Sequence, residues 1–133
     1  MILGLGEDLV EISRIQKIIT DKGNRFLKKC FTPNEIENGT HHKDENRYNA
    51  FFSKRFAAKE ACLKALGTGM REGLSWQDME ISNDDLGRPI MIVNGGVLDH
   101  FNDLVPEGFN QRIHITLSDE AGLAKATVIL EGV

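Results

Sequence analysis

Arg55-Phe56-Ala57-Ala58-Lys59-Glu60-Ala61-Cys62-Leu63-Lys64-Ala65-Leu66-Gly67-Thr68-Gly69 is the stretch on which the reading of this chain turns. Continued backwards to Glu45, it predicts one long helix over 45–66. Phe52, Phe56, Leu63 and Leu66 trace an apolar face that Phe51, Ala58, Cys62 and Ala65 widen. Gly67-Thr68-Gly69 stops the helix, and Glu60 and Lys64 stand one turn apart in the favourable acid-before-base order.

Before this helix, Ile2 to Gly6 reads as a short buried strand. Ser13-Arg14-Ile15-Gln16 fits a capping box, Ile12, Ile15 and Ile19 share a helical face, and Gly23 is placed to end that helix. Thr32-Pro33-Asn34-Glu35 starts another, with Thr at the cap, Pro in the first turn and Glu35 reaching back to the cap N–H. Capping accounts for Glu35 without a catalytic role. Asn38 to Asn46 is polar and reads as a loop; its adjacent His41 and His42 point to different sides of any regular element, which suits an exposed pair better than a metal site.

After the helix the period changes from 3.6 to 2. Met79–Ile81 and Ile90–Val93 read as strands around the turn Asn83–Pro89, and Gly96–Leu104 as a short helix. Arg112–Ser118 and Leu123–Glu131 form a hairpin about Asp119-Glu120-Ala121-Gly122, with Ile113, Ile115 and Leu117 alternating with polar residues. The order of elements predicts an α+β fold: one domain over 1–133, a mostly antiparallel sheet and one long central helix.

The bulk properties narrow the function classes. A chain of 133 residues with 41% hydrophobic and 27% charged residues is an ordinary globular composition. Its apolar runs are short of a membrane span and its acidic beginning is unlike a signal peptide, so the expectation is a cytoplasmic protein with no membrane role. Cys30 and Cys62, in apolar surroundings and without CxxC spacing, are expected to be reduced packing residues. Net charge is −4, yet residues 14–29 carry six bases against one acid and residues 72–133 carry eleven acids against three bases. Such segregation points to a local acidic partner rather than to nucleic acid.

Three features could carry chemistry. Gly4-Leu5-Gly6-Glu7-Asp8 presents carboxylates after glycines; an acid there can hold Mg²⁺, or can simply be a turn carboxylate in solvent. Arg55, Lys59 and Lys64 around Glu60 supply what a metal–diphosphate site needs, and the Gly-Thr-Gly turn lets backbone N–H groups approach a phosphate; an amphipathic helix with surface ion pairs fits the same residues. The basic first helix is either a docking surface or a solvated face.

Taken together, Gly4 through Ile12, Phe31 through Glu35, Arg55 through Gly69, Gly87-Arg88-Pro89 and Ile115-Thr116-Leu117-Ser118 resemble the holo-acyl-carrier-protein synthases, the short-chain branch of the phosphopantetheinyl transferases, over essentially the whole chain. The resemblance implies the 4′-phosphopantetheinyl transferase fold and transfer of 4′-phosphopantetheine from coenzyme A to a serine of an acyl carrier protein, in fatty acid biosynthesis. It further implies a homotrimer with active sites between subunits and Mg²⁺ on Asp8 and Glu60. On that reading Lys64 offsets charge on the diphosphate and Glu60, directly or through a metal-bound water, is the candidate base for the serine, which makes these two the expected catalytic residues. Arg55, Lys64, Gly67 and Thr68 would lie near the nucleotide and diphosphate, and Arg14, Arg25 and Phe26 would meet the carrier protein. Many members carry His where this chain has Asp119, so a role assigned to that His does not transfer. Two readings of other classes compete: a non-catalytic module binding an acidic protein through the basic helix, and a small Mg²⁺-dependent nucleotide hydrolase.

Overall fold

A computed structural model describes residues 1–133. Strand β1 (Ile2–Glu11) leads into helices α1 (Ile12–Lys22), α2 (Asn24–Cys30), α3 (Pro33–Thr40) and α4 (Glu45–Leu66). A single turn at Trp76–Asp78, strands β2 (Met79–Asn83) and β3 (Pro89–Val93), helix α5 (Gly95–Leu104) and strands β4 (Gln111–Glu120) and β5 (Leu123–Gly132) complete the chain. The architecture is α+β, with every strand pairing antiparallel: a sheet in the order β1-β5-β4 and a separate hairpin β2-β3.

The long helix is central, as expected, and its bounds coincide with the sequence reading. Asp44 caps it through Asn46 N–H at 2.9 Å, and Gly67 ends it in the left-handed conformation. Fourteen of its 22 residues are buried, because the sheet covers one side while α1, α3 and β2 crowd the others.

Glycine sets how closely helix and sheet approach. A Cβ on Gly4 would stand 2.1 Å from the Ala65 carbonyl oxygen, and one on Gly6 would stand 1.9 Å from that of Ala61. Opposite them β5 offers Ala124, Ala126, Val128 and Leu130, all buried. The helix face at Ala61 and Ala65 therefore lies directly on the β1 backbone. The Gly-x-Gly motif is a packing device in this chain.

Several local expectations are corrected. Strand β1 runs to Glu11 instead of stopping at Gly6, because it pairs along its length with β5 at the other end of the chain. Asp8 accordingly sits within a strand. Helix α1 starts at Ile12 without a side-chain cap: the Ile12 N–H donates to Gly122 O (2.9 Å), so a tertiary contact takes the place of the Ser13 capping box. Gly23 does end α1, but α2 follows immediately, and α3 persists to Thr40, shortening the expected loop. The Thr32–Glu35 capping box forms as expected. The β4–β5 turn narrows to Ala121-Gly122, both at positive φ, the geometry whose twist matches a tight hairpin. Both cysteines are buried and free, and burial pushes their thiols up to about 11 for Cys30 and about 12 for Cys62, as inert packing residues require.

Candidate active site

Strand β1 lies on α4 through Gly4, Gly6 and Val10, so alternation turns Asp8 to the same side. There the Lys64 ammonium donates to Asp8 Oδ1 (2.9 Å) and to the Glu7 carbonyl (2.9 Å). The Asp8 side chain is only 14% exposed, whereas Lys64 keeps 53% of its side chain in solvent. Glu60, one turn before Lys64, completes the cluster. Burial pushes its carboxyl above the usual range, Asp8 adds to the rise, and Lys64 and then Arg14 oppose it. The structure thus brings Asp8, Glu60, Lys64 and Arg14 within electrostatic reach of one another.

Two neighbouring carboxylates with all-oxygen donors and an open side suit a hard divalent cation that takes its other ligands from water and phosphate. No group of three or more His, Cys, Asp or Glu side chains gathers anywhere in the chain, so an ion here would have two protein carboxylates and draw the rest of its shell from water and phosphate. The residues fit Mg²⁺.

Other sequence candidates land differently. The N–H groups of Gly67, Thr68 and Gly69 all donate to Leu63 O, Gly67 also to Lys64 O, so capping the helix has used the donors expected for a phosphate. What the turn leaves is the Thr68 hydroxyl, whose oxygen is buried without a partner. Arg55 stands 140° around the helix from Glu60. Its guanidinium lies 3.6 Å above the Phe51 ring, donates to Asn83 Oδ1 (3.0 Å), and is lowered to about 10 by burial. One donor, Nε, remains unpaired. Arg25 is exposed, but Phe26 is half-buried with its ring against Phe31 and Phe56. Arg14 faces Glu60 as well as solvent, which a position on the first helix did not disclose.

Lys59 is the largest correction. The sequence groups it with the phosphate-binding cations, yet it is fully buried and salt-bridged to Glu35 at 2.6 Å. Glu35 itself does more than cap α3, since it also accepts from Ile81 N (2.9 Å). Asp119, at the position of the family's His, pairs with Lys54 at 2.8 Å and lines two adjoining grooves of about 680 and 390 Å³ at the outer end of α4. Neither groove reaches Asp8 or Glu60. His42 lies in the smaller one, 5.3 Å from the Phe51 ring.

Asp8 on β1 and Glu60 and Lys64 on α4 form one charged cluster, and comparison supplies the class: the chain belongs to the 4′-phosphopantetheinyl transferase superfamily, whose profile matches residues 4–118. Its relatives there are holo-[acyl-carrier-protein] synthases. Those of Rhodopseudomonas palustris and Bradyrhizobium diazoefficiens are 44% and 46% identical over 134 residues, covering 100% of this chain and 95% and 96% of theirs. The fold superposes on the crystal structure of the Bacillus anthracis synthase in complex with CoA (3′,5′-ADP) with a TM-score of 0.80 at 34% identity, covering 100% and 99% of the two chains. The Neisseria meningitidis synthase gives 0.84 at 31%, covering 98% and 99%.

Proposed function

We propose that this chain, acting over 1–133 as one transferase domain, moves 4′-phosphopantetheine from coenzyme A to a serine of apo acyl carrier protein, in fatty acid biosynthesis. The observation that carries the reading is the Asp8–Lys64–Glu60 cluster on the α4 edge of a chain related throughout its length to synthases of that reaction. Neither the non-catalytic module nor the nucleotide hydrolase accounts for both.

Asp8 and Glu60 would hold Mg²⁺, which would offset charge on the diphosphate. Lys64, with half its side chain in solvent, turns from Asp8 to a diphosphate oxygen. The carrier's serine Oγ bonds to the β-phosphorus while the bond from that phosphorus to the bridging oxygen breaks. Adenosine 3′,5′-bisphosphate leaves with the electron pair. The serine proton goes to Glu60, directly or through a water. Thr68 Oγ1 and the Gly67 backbone lie beside the nucleotide and diphosphate, and Arg55, about 18 Å from Gly67 along α4, meets another part of the nucleotide. Arg14, Arg25 and the exposed edge of Phe26 receive the acidic carrier.

The enzyme works as a homotrimer in the cytoplasm. Support for assembly comes from the outer face of the β1-β5-β4 sheet, where Leu5 (66%) and Leu9 (59%) stand exposed beside Leu123 and Ile129 with no helix over them. No helix of the chain is long and apolar enough to cross a membrane.

Pure protein mixed with coenzyme A, Mg²⁺ and apo carrier should add the mass of one phosphopantetheine to the carrier, and EDTA should abolish the gain. Absence of any gain on a carrier that another transferase modifies would refute the activity; a gain that survives EDTA would refute the metal.

A further inference from the structure

Lys59 precedes Glu60 in the chain but is turned into the protein interior. Its ammonium donates to Glu35 Oε1 (2.6 Å) and to the Cys30 carbonyl (2.7 Å), and it lies 5.1 Å from the Phe31 ring centroid. Glu35 in turn accepts from Thr32 N and Ile81 N, both at 2.9 Å. Lys59 and Glu35 are both 0% exposed. One buried ion pair therefore joins the end of α2, the start of α3, strand β2 and the middle of α4.

Its position on α4 gives the pair a second consequence. Lys59 is drawn towards the α2–α3 corner, while Ala61 and Ala65 rest on Gly6 and Gly4 of β1. Contacts on two sides fix how far α4 is rotated about its axis. Glu60, 100° on from Lys59, is thereby held on the edge that meets Asp8. A buried ion pair contributes little net stability compared with apolar groups of the same volume, so stability alone does not account for this one. We infer that Lys59 is a positioning residue: anchored by Glu35 and Cys30, it sets the rotation of α4 that places Glu60 opposite Asp8 for the divalent cation. The inference rests on the reading of Asp8 and Glu60 as the cation site.

The test is Mn²⁺ binding to the intact protein without coenzyme A, followed by electron paramagnetic resonance as loss of the free-ion signal, with thermal melting in parallel. Lys59→Met alone strands a buried carboxylate and is a poor probe. E35Q/K59M leaves no charge buried, and K59R keeps the charge pair while changing its reach. Both are expected to melt cooperatively near the native temperature yet bind Mn²⁺ on the order of tenfold more weakly, a usual loss when a group orienting a metal ligand is removed. Either folded variant binding Mn²⁺ within about twofold of native, against that tenfold expectation, would overturn the inference. Failure of both to melt cooperatively would overturn it too, since the pair would then be a requirement for folding. E60Q separates the two levels: if it binds Mn²⁺ like the native chain, the cation-site reading itself falls, whereas if only E60Q loses binding, the positioning role falls alone.

Discussion

Replacing Gly6 by alanine is expected to damage stability and catalysis together, and the structure sets the size of the effect. The new Cβ would stand 1.9 Å from the Ala61 carbonyl oxygen and 2.7 Å from Ala65 N, where ordinary contact begins at 3.4 Å. Both obstacles are backbone, so no rotamer change relieves them. Strand and helix must separate by about 1.5 Å at this point (3.4 less 1.9). Overpacking of this kind costs about 3 kcal/mol, the upper end of its usual range. For a domain of this size that lowers the melting temperature by about 10 °C. The displaced residue adjoins Glu60, and a shift of about 1 Å in a reacting group can cost on the order of 100-fold in rate. Circular-dichroism melting at fixed protomer concentration, with carrier modification followed by intact mass, reads both effects. Ala61→Gly should not rescue the variant, because the clash is with a carbonyl and not a methyl group. A Gly6→Ala protein that melts within about 2 °C of native, against the expected 10 °C, and transfers at the native rate would refute the close-approach reasoning; so would rescue by Ala61→Gly.

Two further substitutions separate stability from chemistry. Glu60 has its folded pKa raised above the unfolded value by burial and Asp8, so any stability it contributes is fully present below the unfolded pKa and is lost as pH rises through the folded one. Glu60→Gln should therefore raise the melting temperature of the metal-free protein at pH 7 while abolishing transfer, and the gain should shrink as the pH is lowered; a melting temperature that falls at pH 7 would contradict this sign. Thr68→Val removes a buried hydroxyl oxygen with no protein partner, so melting should be unchanged or slightly raised. If that hydroxyl meets coenzyme A, KM for coenzyme A should rise by about three- to tenfold, the worth of one hydrogen bond, and an unchanged KM would remove Thr68 from the site.

The residues that were legible in the sequence owe their behaviour to near neighbours. The 45–66 helix follows from its own periodicity and its Gly67 stop, the Thr32–Glu35 box from four consecutive residues, and the last hairpin from alternation on either side of Asp119–Gly122, within which the structure narrows the turn to Ala121-Gly122. The α+β class needs only such elements in order, and the motif from Arg55 to Gly69 was enough to indicate the family. Asp8, Glu60 and Lys64 were recognisable as chemical types in the chain, while their proximity rests on packing between residues 56 and 57 positions apart. That packing depends on Gly4 and Gly6 admitting the backbone of α4, and on β1 pairing with β5 across the length of the chain. Lys59 shows the boundary most clearly. One residue from Glu60 and similar in charge to Lys64, it lies with Glu35 at 0% exposure, because the α2–α3 corner and β2 close over it. Charge and spacing are properties of the sequence; whether a charge faces solvent, a substrate or a buried partner depends on which distant segments cover it, and only the tertiary fold decides that.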